Sequence, residues 1–177
     1  MRLDRRSASK GIGLVALAVL LSGCGAQPQL SAEEKVVVQE AQLDELIERA
    51  DTWGADILAQ IPDSEVELIS ENTGGARKAS DDYVEWPKYY YWDQMLVLHA
   101  EGARSPSDVA DDLEPWLEEQ GWERNEGSEF PPGEESFERD YYRDGYHLVV
   151  EVYTEAPPRV QSINFMIVTP QTDPDRP

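Results

Sequence analysis

The chain has little cysteine, little histidine and little positive charge. Its 177 residues include one cysteine, Cys24, two histidines, His99 and His147, and 15 basic residues against 36 acidic ones. A lone cysteine closes no disulfide within the chain and builds no zinc-cysteine site. A net charge of −21 excludes nucleic acid as a partner, because phosphate binding needs a basic face. It also argues against lying flat on anionic lipid heads. Long apolar segments are missing as well. The main run, Gly11 to Leu21, has 11 residues, against the roughly 20 needed to span a bilayer. The sequence contains no G-x-S-x-G nucleophile elbow, no H-E-x-x-H zinc helix and no EF-hand calcium loop. No cofactor motif is present, and no cofactor or metal is expected.

The flanks of that apolar run are specific. Arg2, Arg5, Arg6 and Lys10 precede it, with Asp4 among them, and Leu21-Ser22-Gly23-Cys24 closes it. A plain secretory signal is cut after small residues in an A-x-A-like pattern, whereas here Gly23 precedes a cysteine. This arrangement resembles the lipobox of bacterial lipoproteins. The resemblance implies cleavage between Gly23 and Cys24, a diacylglycerol thioether on Cys24 and, often, a further acyl group such as palmitate on the new amino terminus. Cysteine suits that role because its thiolate is a good nucleophile toward an alkylating lipid donor. Two or three acyl chains anchor stably where one is marginal. The implied location is the cell membrane, lipid-anchored on the extracytoplasmic side. A lipidated Cys24 leaves no thiol for catalysis, which excludes a cysteine-histidine hydrolase. The acidity, the tryptophan content and the short stalk also resemble uncharacterised lipoproteins of actinobacteria.

Residues 1–23 then read as signal peptide, 24–30 as a lipidated stalk, 31–169 as one domain and 170–177 as a disordered tail. The leader carries four basic residues and one acid, so the remaining 154 residues hold a net charge of −24. That length supports one domain with a sizeable core. Ser31 and Glu34 have capping-box spacing. The apolar positions Val36, Leu43, Ile47, Ala50, Gly54, Ile57 and Ile61 predict a helix of about seven to eight turns, stopped by Pro62. A short strand is expected at 65–70, a mobile polar loop at Asn72–Asp82, and a long strand at Lys88–Ala100. Ser105-Pro106 opens a second helix with Val109, Leu113, Trp116 and Leu117 on its apolar face. Gly121 caps it, and Pro115 is expected to kink or split it. Trp122–Asn125 could begin a strand, and residues 126–135 form a Gly/Pro loop. Strands follow at Ser136–Arg143, Tyr146–Glu155 and Arg159–Thr169. Asp144-Gly145 signals a type I′ hairpin between the first two, and Ala156-Pro157-Pro158 joins the next pair. The expected fold is α+β and two-layered: an antiparallel sheet of about five to six strands with two helices on one face.

Among candidate site residues, Trp86, Tyr89, Tyr90, Tyr91 and Trp92 crowd seven positions. Alternation puts Tyr89 and Tyr91 on one face of a strand and Tyr90 and Trp92 on the other. Cross-strand aromatic pairing is the structural explanation; a recognition face for an envelope protein or small ligand is the functional one. The loops at 72–87 and 126–135 are the other contact candidates. His99 and His147, both on predicted strands, are more consistent with packed side chains than with catalytic bases. The acids Asp111, Asp112, Glu114, Glu118 and Glu119 read as the wet face of the second helix. Asp81 and Asp82 border a loop, and acid pairs carry no information in so acidic a chain. A non-catalytic binding module is the leading expectation. The alternatives are a small hydrolase using carboxylates or a histidine, and a purely structural lipoprotein.

Overall fold

A computed structural model describes residues 30–129, 136–154 and 161–175. The lipobox with Gly23 and Cys24, the stalk up to residue 29, Pro157-Pro158 and residues 130–135 and 176–177 lie outside the described residues.

Helix α1 spans Ala32–Leu58. Its start is the expected capping box: Glu34 N–H donates to Ser31 Oγ at 3.2 Å, and Ser31 N–H donates to Glu34 Oε2 at 2.8 Å. A 3-10 turn at Asp63–Glu65 leads into β1, Val66–Ile69. Then come β2 (Gly75–Lys78), β3 (Lys88–Leu98), α2 (Pro106–Glu119), β4 (Glu123–Arg124), β5 (Ser136–Arg143), β6 (Tyr146–Tyr153) and β7 (Gln161–Val168). Helix α2 opens on a Ser105–Asp108 capping box with Pro106 in the first turn. It closes on a Schellman motif: Gly121, at φ 86°, donates its N–H to Glu118 O, and Trp122 donates to Leu117 O. Pro115 neither splits nor ends it. The proline forfeits one backbone bond near the last turn, while Val109, Leu113 and Leu117 hold the helix to the core on either side.

The sheet has seven strands in the order β1-β3-β7-β6-β5-β4, with β2 also on β3, and every pairing is antiparallel. This confirms the α+β class, with seven strands where the pattern predicts about five to six; the possible strand start at Trp122–Asn125 is present as β4. The expected mobile loop contains β2, whose Gly75, Ala76, Arg77 and Lys78 pair with Tyr91, Tyr90, Tyr89 and Lys88. Strand β4 is only two residues long. Strands β1 and β2 share one edge of β3, and Ser70 N–H and Thr73 N–H bridge the gap to Met95 O and Asp93 O. Asp144 and Gly145 adopt φ 51° and 83°, the conformation that a type I′ turn requires.

Both helices cover one face of the sheet. Ile57, Leu96, Leu117, Leu148, Ile163, Phe165 and Ile167 meet between the layers, all essentially inaccessible. Each such side chain contributes about 1.5–3 kcal/mol relative to exposure. At Gly54 the helix backbone lies against the Trp92 indole, and a Cβ there would come within 2.4 Å of an indole carbon. Residues 170–175, expected as tail, instead run back over α1. Thr172 is 2% exposed. Its N–H donates to Lys88 O at 2.7 Å and its hydroxyl to Gln39 Oε1 at 3.1 Å. Asp173 N–H donates to Gln42 Oε1 at 2.8 Å, and Lys35 pairs with Asp175 at 2.7 Å. Polar bonds hold this segment, so no apolar pattern announces it. Among the described residues, no helix is long and apolar enough to cross a membrane.

Candidate functional site

The aromatic run divides by face. Tyr90 and Trp92 point to the helices and are 8% and 4% exposed. Neither belongs to a binding face, because α1 covers them. Tyr90 donates its hydroxyl to Asp51 Oδ1 of α1 at 3.2 Å, and burial raises its phenol pKa. Tyr89 and Tyr91 are half-buried on the opposite, outer face. There they line an open depression of about 590 Å³, together with Ala79, Met166, Val168 and Thr169. The volume lies within the range of small-ligand sites, roughly 300–1,000 Å³.

Register explains the grouping. Tyr91 pairs with Val168, Val168 with His147, and His147 with Tyr142, so one outward row crosses four strands. The next row joins Asp93, Met166, Val149 and Asp140. The rim at β2 is cationic. Arg77 Nη2 donates to the Tyr91 hydroxyl at 2.8 Å, and its guanidinium lies 5.0 Å from the ring centroid. Lys88 alternates to the other face with Tyr90 and Trp92; its ammonium lies 4.3 Å from the ring centroid of Trp86, which packs against the core, and 3.4 Å from Glu85. Nearest-neighbour pattern gave the Tyr89–Tyr91 pairing. The contributions of β2 and β7 come from long-range pairing that the sequence does not mark.

The histidines part company. His147 sits on β6 with Nε2 2.5 Å from Asp140 Oδ1. Its ring stacks on Tyr142 at 4.5 Å between centroids and 1° between planes. Asp140 is 3% exposed. A carboxylate that fixes a histidine ring is the arrangement of an oriented base. Among the described residues, however, no hydroxyl bonds to His147, and it does not line the outer depression. His99 falls just beyond the end of β3 and is exposed.

The acids of α2 are not merely a wet face. Glu114 takes Arg124 and Arg139, each at 3.0 Å, Asp111 takes Arg139, and Asp112 takes Arg104 at 2.7 Å. Arg124 also binds Glu129 at 2.7 Å; that guanidinium holds the Glu129 carboxyl below its ordinary pKa. Burial, with Glu114 nearby, pushes the Tyr141 phenol up to about 12. Arg139 is an inward position of β5 between Phe137 and Tyr141, and an arginine there is the one sequence signal for this cluster. It ties α2 to the sheet. Asp81 and Asp82 remain exposed in the β2–β3 loop. Among the described residues, no three histidine or carboxylate groups converge as a metal site.

Compared with protein-family models, curated proteins and solved structures, the chain matches none of them.

Proposed function

We propose that this chain is a lipid-anchored, extracytoplasmic, non-catalytic binding module of the cell envelope, tethered through Cys24. Its contact surface is the outer face of the sheet around Tyr89 and Tyr91. The observation that carries this reading is the outer depression, where two tyrosines, Met166 and Val168 stay uncovered while the rest of the aromatic run is packed away. Tyrosine supplies large contact area at low entropic cost. The hydrolase alternative rests on the His147–Asp140 pair; Tyr142, stacked on His147, borders a recess of about 490 Å³, but no serine, threonine or other hydroxyl is hydrogen-bonded to the imidazole among the described residues. The test is cross-linked capture from native membranes with the wild type, Cys24→Ser and Tyr91→Ala. A protein enriched by the wild type and lost with both variants supports the proposal. Enrichment indifferent to Tyr91→Ala, or none at all, rejects it.

A further inference from the structure

The C-terminal crossover builds a second recess, on the helix side of the sheet. It is a cleft of about 610 Å³ between α1, the β5–β6 turn and residues 170–173. Glu45, Leu46 and Arg49 line it from one face of α1, and Asp144, Tyr146 and Asp173 from the far side. Three carboxylates on the surface of an acidic chain are unremarkable by themselves. Tyr146 is different. It is 1% exposed, and its hydroxyl is buried without a hydrogen-bond partner. A buried hydroxyl left unpaired loses its hydration without a compensating hydrogen bond. Tyr146 lines the cleft beside Glu45, Arg49 and Asp144, and the Arg49 guanidinium lies 5.9 Å from its ring centroid.

Arg49 is the second unusual residue. Glu45 precedes it by four, the spacing of a helical ion pair. Yet the Arg49 guanidinium has no carboxylate partner among the described residues, and lies 5.9 Å from the ring centroids of both Trp53 and Tyr146. Arg104, Arg124, Arg139 and Arg143 are ion-paired, and Arg77, which like Arg49 has no carboxylate partner among the described residues, spends its donors on the Tyr91 hydroxyl and Ala76 O. The cleft thus holds a cation with free donors, a buried donor beside it, and carboxylates around them. A simple anion meets three carboxylates there. A metal ion meets a guanidinium. A molecule carrying both charges satisfies both sets, because a guanidinium grips a carboxylate with two parallel hydrogen bonds.

We propose that this cleft binds a zwitterion, a free amino acid or short peptide, with its carboxylate on Arg49 and the Tyr146 hydroxyl and its ammonium between Glu45 and Asp144. The cleft meets the outer depression at Gln171, which lines both, but of these two recesses the groups proposed to hold the ligand, Arg49, Tyr146, Glu45 and Asp144, line only the cleft.

The test is calorimetric titration of the full chain in detergent with glycine, L-lysine and L-alanyl-L-alanine. The N-acetylated and C-amidated dipeptides serve as blocked controls, and Arg49→Gln and Tyr146→Phe as variants. At least one zwitterion binds, and blocking either terminus weakens binding about tenfold or more, the loss expected for one charged hydrogen-bonded contact. Arg49→Gln abolishes the preference for a free carboxylate. Tyr146→Phe weakens binding without lowering the thermal midpoint, since it removes a hydroxyl that has no partner in the free protein. No heat with any of the three zwitterions overturns the proposal. So does binding that ignores both blocks, or an Arg49→Gln protein that still prefers a free carboxylate.

Discussion

Tyr90 and Tyr91 are adjacent on β3 and live in different surroundings. Tyr90 lies under α1, with its hydroxyl on Asp51 and its backbone N–H on Thr169 Oγ1 at 2.9 Å. Tyr91 lies on the open face, with its hydroxyl accepting from Arg77. The same division runs along the strand, with Trp92, Leu96 and Leu98 within and Asp93, Met95 and Val97 without. A crowd of aromatics therefore does not mark a site by itself. What decides is which half of the alternation a helix covers; here α1 covers the even half, and Gly54 allows its close approach to Trp92.

The largest effect should come from breaking the covered side. Trp92→Ala is expected to cost about 3–5 kcal/mol in chemical unfolding, the usual loss for truncating a buried tryptophan. Gly54→Ala should cost about 1–3 kcal/mol, because the new methyl collides with the indole. The double variant should lose less than the two costs added, since the cavity left by Trp92 accepts the methyl. Strict additivity would mean that helix and strand do not meet there.

A middle-sized effect is expected at the α2 end of the same inner face, where charge replaces apolar packing. Glu114→Gln leaves Arg124 and Arg139 short of a carboxylate and should cost about 1–3 kcal/mol. Acid should do part of the same work. The Glu129 carboxyl has a lowered pKa in the folded chain, so its contribution is complete above the unfolded glutamate value of about 4.3 and disappears as pH falls through the lower folded value. The stability gap between wild type and Glu129→Gln should be constant near neutrality and close only below about pH 4. A gap that persists at low pH would assign Glu129 a packing role instead of an ionic one.

These regions differ also in how legible they are. The Ser31–Glu34 capping box, the Ser105-Pro106 helix start, Gly121 and the Asp144-Gly145 turn can be read directly, because each is a local arrangement within a few residues. The alternation of Tyr89 to Trp92 is equally local, but which pair faces outward is set by the packing of α1, whose Ala50, Gly54 and Ile57 lie some forty residues earlier in the chain. Strand β2 is illegible. Gly75 to Lys78 has no apolar alternation and is held as an edge by backbone bonds to β3, with Arg77 and Lys78 of the kind that guards such edges. Thr172 and Asp173 are hidden for the same reason, since their partners Lys88, Gln39 and Gln42 are set by topology. The Glu114 cluster joins three segments, and only the inward position of Arg139 hints at it.

The smallest effect on stability, and the sharpest test of the division, belongs to the outer face. Tyr91 is half-buried, and its phenol gives up only an exposed hydrogen bond to Arg77 and a cation–π contact. Tyr91→Phe should cost about 0.5 kcal/mol or less, and Tyr91→Ala about 1 kcal/mol. Membrane capture should follow the opposite order to stability across β3. Tyr91→Ala should fold like the wild type and lose its partner. Tyr90→Phe, which removes only the hydroxyl contact to Asp51, should keep it. If instead Tyr91→Ala unfolds as readily as Trp92→Ala, the outer tyrosines belong to the core in energetic terms, and the uncovered face ceases to be a surface free to bind anything.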